Sequence, residues 1–245
     1  MSLALSLSRT SQAFDRLLSD EWRVEGSQEY RRHILPSFLK PGLLVWDIGS
    51  GRTPMIKPER KAELGLTVVG LDIDPEELEN APSGAYDRAI VADLTAFTGE
   101  GTADLVVSHC CLEHVPDNRA SMRAIASMLK SGGRAVIYQP SRNAAFSRLN
   151  MILPEAVKRG LLGILPDRGG KGGFKAFYDC CTPGEFKQLA LDNGLEIEQA
   201  RVFWNSGYFQ IMPPLHVLWR GGQRLFRMIA GEQAAESFML VLRKP

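Results

Sequence analysis

A chain of 245 residues, 44% hydrophobic and 23% charged, is long enough for a well-buried α/β core and has an ordinary globular composition. Its formal net charge of +1 gives no overall footprint for nucleic acid, which is not expected as a partner. The charge is uneven: residues 1–140 hold 15 Lys and Arg against 19 Asp and Glu, and residues 141–245 hold 14 against 9. The later part therefore either meets an acidic or membrane surface or is a solvated basic face.

Residues 1–40 read as a helical lead-in, with apolar positions at Phe14, Leu17 and Leu18 and again at Ile34, Phe38 and Leu39, stopped by Pro41-Gly42. Leu43 to Ile48 is an apolar run entering a glycine turn, the pattern of a buried strand. Leu66 to Ile73, Ala89 to Ala92 and Leu105 to Ser108 repeat that pattern. Asn118 to Leu129 has helical spacing and ends in the basic, glycine-rich turn Lys130–Gly133, and Arg134 to Gln139 is a fifth strand. Strands alternating with helical segments predict an α/β fold: a parallel, Rossmann-like sheet covered on both faces.

After Pro140 the rhythm breaks. An insert over 141–182 carries an amphipathic stretch, Ala144 to Leu165, broken at Pro154, and then the flexible run Gly169-Gly170-Lys171-Gly172-Gly173. Thr182, Pro183 and Glu185 start a helix that runs to Asn193-Gly194. Glu196 to Trp204 and Ser237 to Leu242 are strands six and seven, separated by a second insert over 205–235. With no internal repeat, the chain reads as one domain: the lead-in, a core over 41–140 and two helical inserts.

The four cysteines form two adjacent pairs, Cys110-Cys111 and Cys180-Cys181, without C-x-x-C spacing. Free thiols are expected, and neither a disulfide framework nor a metal site. Free thiols suit a cytoplasmic location. Met1 to Thr10 lacks the basic start of a signal peptide, and no apolar run approaches the roughly 20 residues that span a bilayer.

The chemistry centres on Val45-Trp46-Asp47-Ile48-Gly49-Ser50-Gly51-Arg52-Thr53-Pro54, a strand running into a Gly-x-Gly turn and a helix start. Glycines there permit positive φ and close approach to a ligand. Asp72 ends the next strand, spaced for the two hydrogen bonds of a ribose diol, and Asp93 ends the third, placed for the adenine end of the same nucleoside. Pro54 stands where a dinucleotide site needs a third glycine for the close approach of a pyrophosphate. S-adenosylmethionine has no phosphate, and Asp47 suits its amino group.

These residues resemble the class I S-adenosylmethionine-dependent methyltransferases, of the type 11-like group. Asp47-Ile48-Gly49-Ser50-Gly51 is similar to their first motif, Gly70-Leu71-Asp72-Ile73-Asp74 to the acidic loop after their second strand, and Ala92-Asp93-Leu94 to their adenine-binding turn. Ala103 to Ser108 with Leu112-Glu113-His114-Val115 resembles the fourth motif, and Leu129 to Arg134 the entry to the fifth strand. The resemblance implies cofactor contacts from Asp47, Gly49, Ser50, Gly51, Asp72, Ile73, Asp93, Leu94 and His109, and a seven-stranded sheet whose last strand is antiparallel. Thr53, where a further glycine is common, departs from the pattern. Phe177-Tyr178-Asp179, Ser206-Gly207-Tyr208-Phe209 and Pro213-Pro214-Leu215 resemble a bacterial group linked to surface-glycan synthesis.

Methyl transfer to a hydroxyl needs a base near the end of the fourth strand, and His114 is the candidate, with a loop-holding role as its rival. Some ubiquinone-precursor methyltransferases carry Glu-x-x-Glu-His here and bind a cation. In this chain Cys110 replaces the first Glu, and a hard cation wants oxygen ligands, so no metal is expected. Tyr178, Asp179 and Arg142 are open to acceptor binding or to packing. The tract Phe203 to Phe226, with Arg220, Arg224 and Arg227 interleaved, is either core or a contact of residues 205–230 with the inner membrane surface. The expected acceptor is a small molecule, a glycan or a lipid-linked group. A nicotinamide-dependent oxidoreductase, which Pro54 opposes, and a non-catalytic binding module, which the three strand-end carboxylates oppose, are the alternatives.

Overall fold

Apolar runs closed by turn residues become strands. The computed structural model describes residues 3–153, 174–207 and 209–245, with side chains from residue 7 onward. The lead-in begins with α1 (Leu3–Asp15) and continues through short turns and a π-helical turn, Tyr30–Ile34. Then β1 (Leu44–Ile48), β2 (Thr67–Asp72), β3 (Arg88–Val91), β4 (Ala103–His109) and β5 (Leu129–Pro140) pair in parallel, and β7 (Ser237–Arg243) lies antiparallel between β5 and β6 (Glu196–Phe203). The seven-stranded order is β3-β2-β1-β4-β5-β7-β6. Penultimate β7 is buried along its first six residues, and edge strand β6 is mostly exposed and carries Glu196, Glu198 and Arg201, which blunts edge pairing.

The helices α2 (Pro58–Leu64), α3 (Pro75–Glu79), α4 (Asn118–Met128), α5 (Ala145–Ile152), α6 (Pro183–Asp192) and α7 (Pro213–Ala230) fill the connections. α2 and α3 are too short for periodicity to reveal; proline starts both, left-handed Gly65 closes α2, and the Asp74 carboxylate caps α3. The strand expected from Arg134 begins at Leu129, because Leu129 already pairs with Ala103 and shortens the preceding helix to Met128. The expected stretch Ala144 to Leu165 is helical over Ala145–Ile152; its remainder, the Pro154 break and the Gly169–Gly173 run lie outside the described residues.

Alternation along the strands divides the core. Trp46, Ile48, Val69 and Leu71 face Met122, Ile125 and Phe186 on one side, while Val45, Val68, Leu105 and Val107 face Tyr30, Ile34 and Leu35 on the other. Successive strands move outward from β1 to β3, and β4 then returns to β1's other side. That reversal opens a crevice at the carboxyl ends of β1 and β4, where open α/β sheets bind ligands. Among the described residues no helix is long and apolar enough to cross a membrane.

Candidate active site

The first wall of the crevice is the turn after β1. Gly49 and Gly51 have φ of 68° and 43°, a conformation that disfavours side chains. Space forbids them too: a Cβ on Gly49 would lie 2.1 Å from Cys111 Sγ, and one on Gly51 would lie 2.7 Å from Glu77 Cβ. Asp47 lies fully buried beneath the turn, accepting from Ser50 Oγ and, at 2.8 Å, from the Met55 N–H. Burial pushes its carboxyl up to about 6, with Ser50 and Met55 opposing. Each Asp47 oxygen thus holds one bond within the turn, and the side chain is covered by it.

Two contacts that sequence reasoning missed brace the same turn. The Tyr86 hydroxyl donates to the Gly51 carbonyl at 2.8 Å, and the Tyr86 ring lies against Gly70, where a Cβ would come within 2.8 Å of it. Arg52 binds Glu77 through two hydrogen bonds of 2.7 Å. Neither partner is signalled locally, because each pairing joins residues far apart in the chain.

The second wall is the end of β2. Asp72 is mostly buried, and its Oδ1 accepts from the Asp74 N–H at 3.0 Å. Its Oδ2 faces Gly51, whose built Cβ would stand 3.1 Å away. Burial raises its carboxyl above the usual range, and the neighbouring Glu77 charge adds to this. Ile73 follows it, 59% exposed, an apolar surface beside the carboxylate. Past β3, Asp93 accepts through Oδ1 from Thr95 N and Oγ1, both at 2.8 Å, and thereby caps the short turn that begins at Leu94.

The third wall follows β4. His109 turns toward the lead-in: Ser27 Oγ lies 2.8 Å from its Nε2, and it stacks on Tyr138 with centroids 5.0 Å apart. Burial, and to a lesser degree Arg31, lowers its pKa to about 4. The side chain expected at the cofactor is thus bound on the lead-in face of the sheet. Cys110 has φ of 52° and reverses the chain, which brings Cys111 over Gly49. Burial pushes both thiols up, so neither is a reactive thiolate.

Glu113 and His114 follow. Glu113 is buried and accepts from Gln139 Nε2 at 2.6 Å; burial raises its carboxyl, opposed by His114. His114 Nδ1 meets the Lys175 carbonyl at 3.1 Å, and its Nε2 lies 3.6 Å from Glu113 Oε1. A carbonyl only accepts, so Nδ1 of the neutral ring carries the proton and Nε2 keeps the lone pair. Segment 174–179 is tied here by the Phe177 and Tyr178 N–H groups, which donate to the Glu113 carbonyl, and by Asp179, which accepts from the Asn118 N–H. Tyr178 is buried against Ser147 and Asn150, and Arg142 pairs with Glu185 at 2.6 Å. These two and Asp179 make packing and bracing contacts in the structure.

Residues 46–137 match the family model described as a methyltransferase domain. A ubiquinone biosynthesis O-methyltransferase of Xanthomonas axonopodis pv. citri is 30% identical over 201 residues, 76% of this chain and 79% of that protein. The chain is a class I S-adenosylmethionine-dependent methyltransferase. A namesake from Cupriavidus pinatubonensis is 29% identical over 65% of the methyltransferase and 63% of itself. The fold is shared with Haemonchus contortus phosphoethanolamine N-methyltransferase 2 in complex with S-adenosyl-L-methionine (TM-score 0.55, 17% identity, all of this chain and 60% of that one). It is also shared with the [4+2]-cyclase SpnF (TM-score 0.55, 14% identity, 98% and 97% of the two chains), so the fold alone does not decide the reaction.

The methyltransferase's donor set fits its cofactor. Asp72, Asp74 and Glu77 stand around the turn, above the buried Asp47, and Arg52 is bound to Glu77. Such an acidic rim suits a cationic nucleoside with a free diol and opposes a pyrophosphate.

Proposed function

We propose that this methyltransferase methylates a hydroxyl oxygen, with His114 as the base. Asp72 receives the ribose diol, Ile73, Asp93 and Leu94 hold the adenine end, and the Gly49-Ser50-Gly51 backbone lies along the remainder. Asp47 acts through the turn it braces, and His109 through the end of β4 that it anchors. S-adenosylmethionine, when bound, supplies a methyl group on a cationic sulfur that is already electrophilic. The protein's part is to align the acceptor, exclude water and take its proton.

One observation carries the base assignment: the Lys175 carbonyl fixes the His114 tautomer with the Nε2 lone pair at the end of β4. The acceptor's hydroxyl proton would pass to Nε2, and the buried Glu113 3.6 Å away would stabilise the resulting cation. The names of the similar O-methyltransferases support oxygen as the methylated atom. The acceptor is a small molecule; a glycan or lipid-linked hydroxyl is the finer reading, supported by the basic excess of residues 141–245.

Phenols, glycans and lipid-linked alcohols, each incubated with labelled cofactor, identify the acceptor. With the acceptor in hand, His114→Ala lowers turnover by roughly 10²–10⁴ while S-adenosylhomocysteine affinity, read by calorimetry, stays within twofold. Near-normal turnover would return His114 to a loop-holding role.

A further inference from the structure

Helix α7 is built inside out. Its buried side chains are His216, Trp219, Arg220 and Gln223, each bearing a polar group. Arg220, 1% exposed, donates to Asp15 Oδ1 at 3.0 Å, to the Trp204 carbonyl at 2.6 Å and to the Trp22 carbonyl. His216 meets the same Asp15 oxygen at 3.0 Å, and Trp219 Nε1 donates to Glu236 at 2.9 Å. These bonds fix the rotation of the helix about its own axis.

The opposite face carries Val217, Leu218, Leu225, Met228 and Ile229, exposed by 42%, 72%, 60%, 83% and 79%. At about 100° per residue they fall in one arc of roughly 120°, with Gly221 between them, Gly222 at its margin and no polar side chain among them. Ile152, 77% exposed at the end of α5, extends this face across a 460 Å³ groove lined by Leu149, Leu215 and Leu218. An ordinary surface helix shows the reverse arrangement, and a contiguous exposed apolar patch marks an interaction surface.

Charge selects the partner. From Phe209 to Ala230 the sequence holds three arginines and no acidic residue. Arg220 is buried and Arg227 is paired with Glu21 at 2.8 Å, while exposed Arg224 stands at the rim of the apolar face, 5.5 Å from the Trp22 ring centroid. A two-fold contact between copies sets each patch against itself, so it offers Arg224 no acidic counterpart on α7. An anionic lipid surface offers one. Because β6 ends and β7 begins beside Pro140, the connection that carries α7 leaves and re-enters the sheet at the carboxyl end of β5.

We propose that α7 is a peripheral membrane-docking helix, its apolar face set into the headgroup boundary of an anionic bilayer and Arg224 at the phosphate level. This goes beyond the acceptor assignment and stands whether or not His114 is the base. The test is co-sedimentation of the full chain with phosphatidylcholine–phosphatidylglycerol vesicles. Binding is expected, roughly tenfold weaker for each of Leu218→Asp and Met228→Asp. It also weakens in high salt and on pure phosphatidylcholine. Leu191→Asp, at a residue 53% exposed on α6, leaves it unchanged. S-adenosylhomocysteine affinity stays the same in all three variants, which separates lost docking from lost folding. Failure of the parent protein to bind anionic vesicles overturns the proposal. So does a sedimentation-velocity dimer that Leu218→Asp dissociates, which assigns the face to a second copy.

Discussion

The turn after β1 and the helix α7 use polar side chains in opposite ways. At the turn the polar groups line an opening: Asp72 holds Oδ2 toward Gly51, and Ile73 shows an apolar surface beside it. On α7 they are sealed inside, where Arg220 and His216 converge on Asp15, and the apolar residues face outward. Both regions contain buried charge; at the turn Asp72 presents Oδ2 toward Gly51, whereas on α7 Arg220 and His216 share Asp15 Oδ1. The difference lies in the direction the groups face: His216 Nδ1 and Gln223 Nε2 are buried without a partner inside α7's packing, while Asp72 stands at the mouth of the crevice.

Substitutions in the two regions sharpen this contrast. The largest effect is expected at Asp72. On the ribose contact proposed above, Asp72→Ala removes two charge-assisted hydrogen bonds worth about 1.5–3 kcal/mol each, so cofactor affinity is expected to fall by at least two orders of magnitude while the thermal midpoint holds. Calorimetry and thermal unfolding of the same sample check both halves; an unchanged dissociation constant removes Asp72 from the ribose.

At α7 the outcome reverses. Arg220→Met leaves Asp15 buried without its guanidinium and lowers stability by about 3–5 kcal/mol, read from urea unfolding, with little effect on cofactor affinity in the surviving folded fraction. A stability loss under about 1 kcal/mol would show that Arg220 does not anchor the helix.

A third test uses pH. His109 titrates at about 4 in the folded chain, below the ordinary histidine value near 6.5. The unfolded chain therefore binds the proton first, and the folded state loses stability as pH falls from about 6.5 toward 4. His109→Gln removes that loss, so its urea midpoint falls less than the parent's between neutral pH and that window. Parallel pH profiles for the two proteins contradict it.

The smallest effect separates turn bracing from direct contact. Tyr86→Phe keeps the ring against Gly70 and deletes only the hydroxyl that holds the Gly51 carbonyl. The loss is about 0.5–1.5 kcal/mol of cofactor affinity, seen as a raised KM for the cofactor with kcat nearly unchanged. An unaltered KM shows that the turn holds its shape without this bond.

Local pattern determined much of this protein. Apolar runs bounded by turn residues placed the buried strands, because strand burial imposes a short-range pattern, and Gly49 and Gly51 marked the turn because few other residues adopt positive φ there. Asp72 was legible since its place at a strand end follows from chain order. Tertiary structure decided the rest. It set β7 between β5 and β6, turned His109 toward Ser27 and closed Asp47 under its own turn. It also split the tract read as one unit, burying Trp204, Phe209, Trp219 and Arg220 and leaving Leu215 and Leu218 outside. The physical reason is range. Periodicity reports that a helix has two faces, but which face turns inward depends on partners such as Asp15, whose bond to Arg220 joins residues 205 positions apart.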